Sequence, residues 1–379
     1  MRYYLIAGEA SGDLHGSNLI RGIRKADSGA VFRFWGGDKM AEAGGAENLA
    51  MHYKKASFNM GVMRLSKENG IPTYYYIAPK VWAWKESRVK KIRKYVDRLF
   101  VIFPFEIDYF RSKGIAPVYE GNPLIDSIDQ RRTGLLSRNE FAAQNGLDGR
   151  PVIALLAGSR RSEIGYNLPF MVELSKQYPQ YQFVVAGVSW LDKQVYTPYL
   201  DGSDVRYVCD KTYELLSVSD AAVVTSGTAT LETALLGIPQ IVCYRRDWAS
   251  MLIGKAFLKI PYVSLVNLVL RREAVRELLQ HHMTMKNATE ELSAILPGGA
   301  KHEKMLADYA ELQRLIGQKN PSDRFAARMV ELLHKDLNEK HGEKSAHTAN
   351  NGASRVLSAA QDPSGATGTS TSPDSPASK

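Results

Sequence analysis

Tyr3-Tyr4-Leu5-Ile6-Ala7 runs straight into Gly8-Glu9-Ala10-Ser11-Gly12-Asp13-Leu14-His15-Gly16, and this junction decides the fold. The first five residues are apolar and β-prone. The glycines after them let the backbone turn, and Leu14, Leu19, Ile20 and Ile23 then form one helical stripe over residues 12–25. A strand, a glycine turn and a helix in that order open a βαβ unit. The rhythm continues, with strands expected over residues 31–35, 73–77 and 98–103, then over 152–156, 182–186, 205–208, 221–225 and 240–243, and helical segments between them. This alternation predicts an α/β protein of two successive Rossmann-like parallel sheets, with ligands at the carboxyl ends of the strands and in the cleft between the halves. Beyond Pro261 the strand pattern stops, and residues 273–281, 304–316 and 324–337 read as helices. From about His341 the chain turns to Ser, Ala, Thr, Gly, Pro and Asn, a composition that buries too little apolar area to offset its ordering entropy. The expected division is a first domain over residues 1–130, a second over 131–318, a C-terminal helical extension over 319–338 and a disordered tail over 339–379.

A chain of 379 residues with 44% hydrophobic and 23% charged content fits a globular protein of two domains. Its formal net charge of +9 favours anionic partners, whether phosphorylated substrates or an acidic membrane face. Cys209 and Cys243 stand far apart in apolar runs, which argues against a disulfide framework or a zinc site. No signal-peptide layout opens the chain, and no stretch reaches the ~18 uncharged apolar residues of a spanning helix. The nearest candidate, residues 256–270, is interrupted by Lys259 and Pro261. The expectation is a cytoplasmic protein whose membrane contact is peripheral.

Five constellations could carry chemistry. In Gly8–Gly16, the glycines allow close backbone approach, but the spacing is not that of a dinucleotide fingerprint. Glu9 and Asp13 suit general-base work or hydrogen bonding to sugar hydroxyls; the bland alternative is that Ser11 or Asp13 merely caps the helix. In Leu156-Ala157-Gly158-Ser159-Arg160-Arg161-Ser162-Glu163-Ile164, Gly158 permits close approach, Ser159 supplies a hydroxyl, and Arg160 offers a fork of donors to phosphate. In Ser226-Gly227-Thr228-Ala229-Thr230-Leu231-Glu232, hydroxyls and free N–H groups at a helix start suit a diphosphate, while Glu232 could take paired ribose hydroxyls. There the competing reading is a capping box between Ser226 or Thr228 and Glu232. The segments around Asn267 and Glu277 read from spacing alone as core and amphipathic helix. Finally, Trp82 and Trp84 precede a helix rich in lysine, including Lys90, Lys91 and Lys94. That pairing fits an anionic membrane surface, with a solvated basic helix as the alternative. No recognised nucleic-acid module accompanies these charges, so a nucleic-acid partner is not expected.

Taken together, Ala7-Gly8-Glu9-Ala10-Ser11-Gly12-Asp13, Val81-Trp82-Ala83-Trp84, Phe103-Pro104-Phe105-Glu106, Leu156-Ala157-Gly158-Ser159-Arg160, Ser226–Glu232, Tyr262-Val263-Ser264-Leu265-Val266-Asn267-Leu268 and Glu277-Leu278-Leu279-Gln280 resemble the lipid-A-disaccharide synthase family, in family order. The resemblance implies a GT-B-type glycosyltransferase that joins UDP-2,3-diacylglucosamine to 2,3-diacylglucosamine 1-phosphate with inversion, releasing UDP, on the way to lipopolysaccharide. It further implies a donor site with Arg160, Glu232, Asn267 and Glu277 as polar contacts; the sequence itself shows no metal-ligand cluster, so neither metal nor cofactor is expected. A seat on the inner face of the inner membrane follows too, with a C-terminal helix that returns to the first domain or pairs two copies as a homodimer. One departure stands out. Between Ser57-Phe58-Asn59-Met60-Gly61 and Lys67-Glu68-Asn69-Gly70-Ile71-Pro72, the family carries a longer segment with an apolar helix and a strand ending in Asp-x-Pro-x-Phe-Asn, whose aspartates are its leading catalytic candidates. Without them the base would have to be Glu9, Asp13 or His15. The alternatives are another enzyme acting on UDP-N-acetylglucosamine and a catalytically dead nucleotide-sugar or lipid-binding homologue.

Overall fold

The computed structural model describes residues 1–44, 48–50, 59–82, 86–245 and 261–358. Residues 1–328 form one compact unit, and a second unit begins at Met329.

In the first half, β1 (Arg2–Ile6), β2 (Val31–Trp35) and β3 (Asn48–Ala50) make a three-stranded sheet in that order. A separate three-stranded sheet follows, formed by β4 (Tyr74–Tyr76), β5 (Arg98–Val101) and β6 (Pro117–Tyr119). All pairings in both sheets are parallel. Helices Ala10–Ala26 and Asp38–Gly44 follow β1 and β2, and Asn59–Glu68 precedes β4.

The second half is one continuous six-stranded parallel sheet built from β7 (Val152–Leu156), β8 (Gln182–Gly187), β9 (Arg206–Cys209), β10 (Ala221–Val224), β11 (Gln240–Tyr244) and β12 (Glu277–Leu279). Its order is β12-β11-β10-β7-β8-β9. Every residue of β7, β8 and β10 is buried, so these strands read as unbroken apolar runs rather than alternating ones. Helix Arg161–Ser175, whose Ile164, Leu168 and Met171 are fully buried, joins Ile153, Leu155 and Val223 in the main core.

Three strands escaped the sequence reading. β3, β6 and β12 are three residues long, too short to show a period of two. The helix expected over residues 273–281 is a correction. That stretch contains β12, paired in parallel with β11 from Val242–Glu277 to Tyr244–Leu279, followed by a short turn of helix at Gln280–His282. Leu278 alone of the strand is fully buried, and Gln280, with φ of 52°, ends it. The C-terminal helix spans Pro321–Ser358 and thus enters the segment expected to be disordered. No proline falls between Pro321 and Pro363, and Glu, Lys and Ala recur between them, so the local ladder of hydrogen bonds meets no break. The remaining tail, residues 359–379, lies outside the described residues.

The first turns of that C-terminal helix fasten the first half together. The Ser322 N–H donates to Asp126 Oδ2 at 2.8 Å, and Lys25 pairs with Asp323 at 2.7 Å. Phe325 stands edge-on to Tyr76 at 5.2 Å and to Phe100 at 6.1 Å. A methyl at Gly22 would come within 2.7 Å of the Ala326 side chain, so that contact requires glycine.

Candidate active site

At the end of β1, Ala7 is buried and its N–H donates to the Trp35 carbonyl at 2.8 Å, leaving Gly8 and Glu9 at the surface. Glu9 occupies the N-cap position of helix Ala10–Ala26 in an extended conformation, and its side chain does not cap. Its carboxylate instead accepts the Ser11 hydroxyl at 2.6 Å. Asp13 is 3% exposed and accepts the N–H groups of Gly37, Lys39 and Met40 at 2.7, 3.1 and 3.1 Å. It therefore caps the following helix, Asp38–Gly44, and its expected role as a base is corrected: the carboxylate is consumed by a buried structural bond set. His15 is half-buried, with a buried Nδ1 that has no partner. Burial pushes its pKa down to about 4, against the opposite pull of the Glu9 charge, so the ring is neutral at physiological pH.

The loop after β4 adds a group the sequence reading did not single out. Ile77 has φ of 60°, a strained value for a β-branched residue, and the Val81 N–H donates to the Pro79 carbonyl at 2.6 Å. Lys80, at the tip of that tight turn, is exposed between buried Ala78 and Val81. Enough protein surrounds its ammonium to lower its pKa by desolvation, while Glu106 and Glu9 pull the other way. Glu106 is 1% exposed and accepts Trp82 Nε1 at 2.9 Å and the N–H groups of Ile102 and Phe103, both at 3.0 Å. Its pKa is raised by burial, with these bonds and Lys80 opposing.

Trp82 is thus committed inward, with its ring also edge-on to Phe105 at 4.9 Å, which corrects its expected place as a membrane anchor. Trp84 lies outside the described residues. Lys90, Lys91 and Lys94 are exposed on helix Arg88–Tyr95, whose Val89 and Ile92 face the interior. Among the described residues, no helix is long and apolar enough to cross a membrane.

In the second half, Gly158 follows β7 with φ of 110°, and a Cβ there would come within 2.6 Å of Glu163. Both conformation and space call for glycine. Glu163 accepts the Ser159 N–H at 3.1 Å and Arg160 Nη1 at 3.1 Å. The Arg160 side chain remains 78% exposed. Trp190, at the end of β8, donates from Nε1 to the Ser159 carbonyl at 3.2 Å and is 69% exposed. The sequence reading missed it; its signal was a bulky aromatic just beyond the carboxyl end of a core strand.

After β10, Ser226 and Gly227 lead into helix Thr228–Leu235, with Gly227 at its N-cap, φ 114°, and no side chain capping it. The capping box that was the competing reading does not form at this helix: Thr230 turns its hydroxyl back to the Gly227 carbonyl at 2.8 Å. Thr228 is exposed and Ala229 half-buried beside it. Glu232 accepts the Tyr213 hydroxyl at 2.6 Å, and the Arg131 guanidinium lies over the Tyr213 ring at 4.3 Å. Burial raises the Glu232 pKa, while Tyr213 and Arg131 work to lower it.

Asn267 and Glu277 are turned inward. The Asn267 amide donates to the Val275 carbonyl and to Glu277, and accepts the N–H groups of Ala274 and Val275. Glu277 also accepts the N–H groups of Val263 and Ser264. Together they brace residues 262–277.

The sequence model of the lipid-A-disaccharide synthetase family matches residues 49–329. A lipid-A-disaccharide synthase from Geobacter metallireducens is 33% identical over 379 residues, covering 88% of this chain and 98% of the relative. Because 88% of this chain is about 334 residues, about 45 aligned positions have no counterpart here. A Myxococcus xanthus relative of the same description is 32% identical, covering 88% of this chain and 97% of its own length. Solved structures share the fold at low identity. The UDP-GlcNAc 2-epimerase from Neisseria meningitidis bound to UDP-GlcNAc has a TM-score of 0.58 at 14% identity, with 88% of this chain and all of that one covered. CalG4, the calicheamicin glycosyltransferase, has a TM-score of 0.51 at 13% identity, covering 88% of this chain and 98% of its own. The architecture, parallel sheets interleaved with helices, is the α/β fold of GT-B glycosyltransferases and epimerases, and the chain belongs to the lipid-A-disaccharide synthase family.

Proposed function

We propose that this chain is a hexosyltransferase that joins UDP-2,3-diacylglucosamine to 2,3-diacylglucosamine 1-phosphate, forming lipid A disaccharide 1-phosphate and UDP. Family membership supplies the substrates, and the uncapped helix start at Gly227–Thr228 is the observation that carries the donor assignment. In this reading the diphosphate lies against that helix start, and exposed Arg160 neutralises charge that grows as UDP departs. Glu232 takes the ribose hydroxyls by exchanging its bond from Tyr213. Asn267 and Glu277 position the loop beside the site rather than touch substrate. The acceptor's primary hydroxyl attacks the anomeric carbon, the glycosidic bond forms as the bond to the diphosphate breaks, and the hydroxyl proton passes to Glu9 or to neutral His15. The test is a disaccharide assay with acylated and unacylated UDP-glucosamine donors. Product from the acylated donor alone is expected; turnover of only the unacylated donor would reject the assignment in favour of another enzyme of UDP-N-acetylglucosamine.

Contact with the inner face of the inner membrane belongs to the same proposal, carried by the exposed Lys90, Lys91 and Lys94 at about 1 kcal/mol each near an anionic surface. Salt-sensitive co-sedimentation with anionic vesicles is expected, and replacing the three lysines by glutamate should abolish it. Equal sedimentation of the variant would remove these residues from the contact.

A further inference from the structure

We infer that Trp190 is the stacking platform for the base of the nucleotide held by the second half. The inference rests on the proposed donor site there and adds its base-recognition residue.

At 69% exposure, Trp190 leaves most of its ring open to solvent. It is nevertheless held in place. Its Nε1 donates to the Ser159 carbonyl at 3.2 Å, and the Ser189 N–H just before it donates to Asp210 Oδ1 at 3.0 Å. Asp210 itself adopts φ of 53°, an uncommon left-handed conformation for a residue other than glycine. The indole edge is therefore pinned to the β7 loop, the backbone beneath it is pinned to the β9 loop, and a broad part of its surface stays open. Anchored edge and open surface are what a flat ligand needs, because the ring's orientation is fixed before binding.

The strand order gives the ring its place. β10, β7, β8 and β9 are successive neighbours. The proposed diphosphate contacts, Gly227–Thr228 and Arg160, follow β10 and β7, and Trp190 follows β8. A nucleoside diphosphate laid across these strand ends, with its charged end over β10 and β7, brings its base over β8 and β9. Every nucleobase has a π-face, so stacking supplies affinity while hydrogen bonds elsewhere choose the base.

The experiment uses the full chain, with UDP and inorganic pyrophosphate as probes in calorimetry. Trp190→Ala should weaken UDP binding by roughly 5- to 150-fold, the contribution of one stacked base, and leave pyrophosphate affinity unchanged. Trp190→Phe should keep most of the UDP affinity, and Arg160→Ala should weaken both probes. If wild type binds UDP and Trp190→Ala binds it equally well, the stacking role is wrong while the donor site stands. An equal loss for both probes in Trp190→Ala overturns it as well, because the effect would then not lie with the base. Failure of the wild type to bind either probe sinks the donor site and the stacking role together.

Discussion

β1 and β7 open their respective halves in the same way and end in different circumstances. Each is five residues long, each runs into Ala-Gly (Ala7-Gly8 and Ala157-Gly158), and each is followed by a helix carrying an acid six residues beyond the alanine, Asp13 and Glu163. β7 pairs on both edges, with β10 and β8, and all five of its residues are buried. β1 pairs with β2, and among the described residues no strand lies on its other edge. Its exposure alternates: Tyr4 is 63% exposed and Ile6 40%. Among the described residues, β1 opens its half as β7 does yet stands at a sheet edge, with apolar side chains in water, the arrangement natural proteins avoid or cover. The first half accordingly splits into β1-β2-β3 and β4-β5-β6, where the second half is continuous. About 45 aligned positions of the Geobacter relative have no counterpart here, enough residues to hold a strand and its connections.

The largest expected effect follows from that difference. Inserting, between Gly61 and Lys67, the segment that the family resemblance implies should supply a further strand and its aspartates. A positioned general base contributes ~10²–10⁴-fold, so the restored chain should turn over at least ~100-fold faster than this one, with UDP affinity unchanged because the donor half is untouched. A side-by-side disaccharide assay measures it. Equal rates would show that Glu9 or His15 already completes the site and that the open edge is not a catalytic defect.

The same comparison explains which features could be read in advance. β7, β8 and β10 are buried on both faces, so their apolar runs were visible without any knowledge of neighbours, and the glycines at 158 and 227 marked the two loops of the donor side. β1 was visible too, yet nothing in Tyr3–Ile6 revealed that one edge would lack a partner, since pairing is a property of the whole sheet. Residue identity pointed to Asp13, and the family resemblance alone to Asn267 and Glu277. Their hydrogen-bond partners, which decide whether a carboxylate faces substrate or backbone, are separated from them by up to 27 residues and could not be read from spacing. Trp82 shows the same limit: its bond to Glu106 spans 24 residues and turns an apparent surface anchor inward.

The smaller effect concerns the two acids at matched positions. Asp13 reaches out of its own loop and satisfies three backbone N–H groups at the start of helix Asp38–Gly44, whereas Glu163 folds back on its own loop to hold Ser159 and Arg160. The first is a buried charged cap, the second a bond set partly open to water. Asp13→Ala should lower stability by about 2–4 kcal/mol, the loss expected when buried N–H groups lose a charged acceptor at a helix start. Glu163→Ala should lower stability by less than about 1 kcal/mol, since its ion pair with the exposed Arg160 is screened. Their effects on ligand binding run the other way. Glu163→Ala releases Arg160 and should alter UDP affinity, whereas Asp13→Ala, while folded, should leave it unchanged. Denaturation midpoints and calorimetry on the two variants read both effects. Loss of turnover in Asp13→Ala with an unshifted midpoint would return that carboxylate to the catalytic centre, because a purely structural cap cannot be removed without a cost in stability.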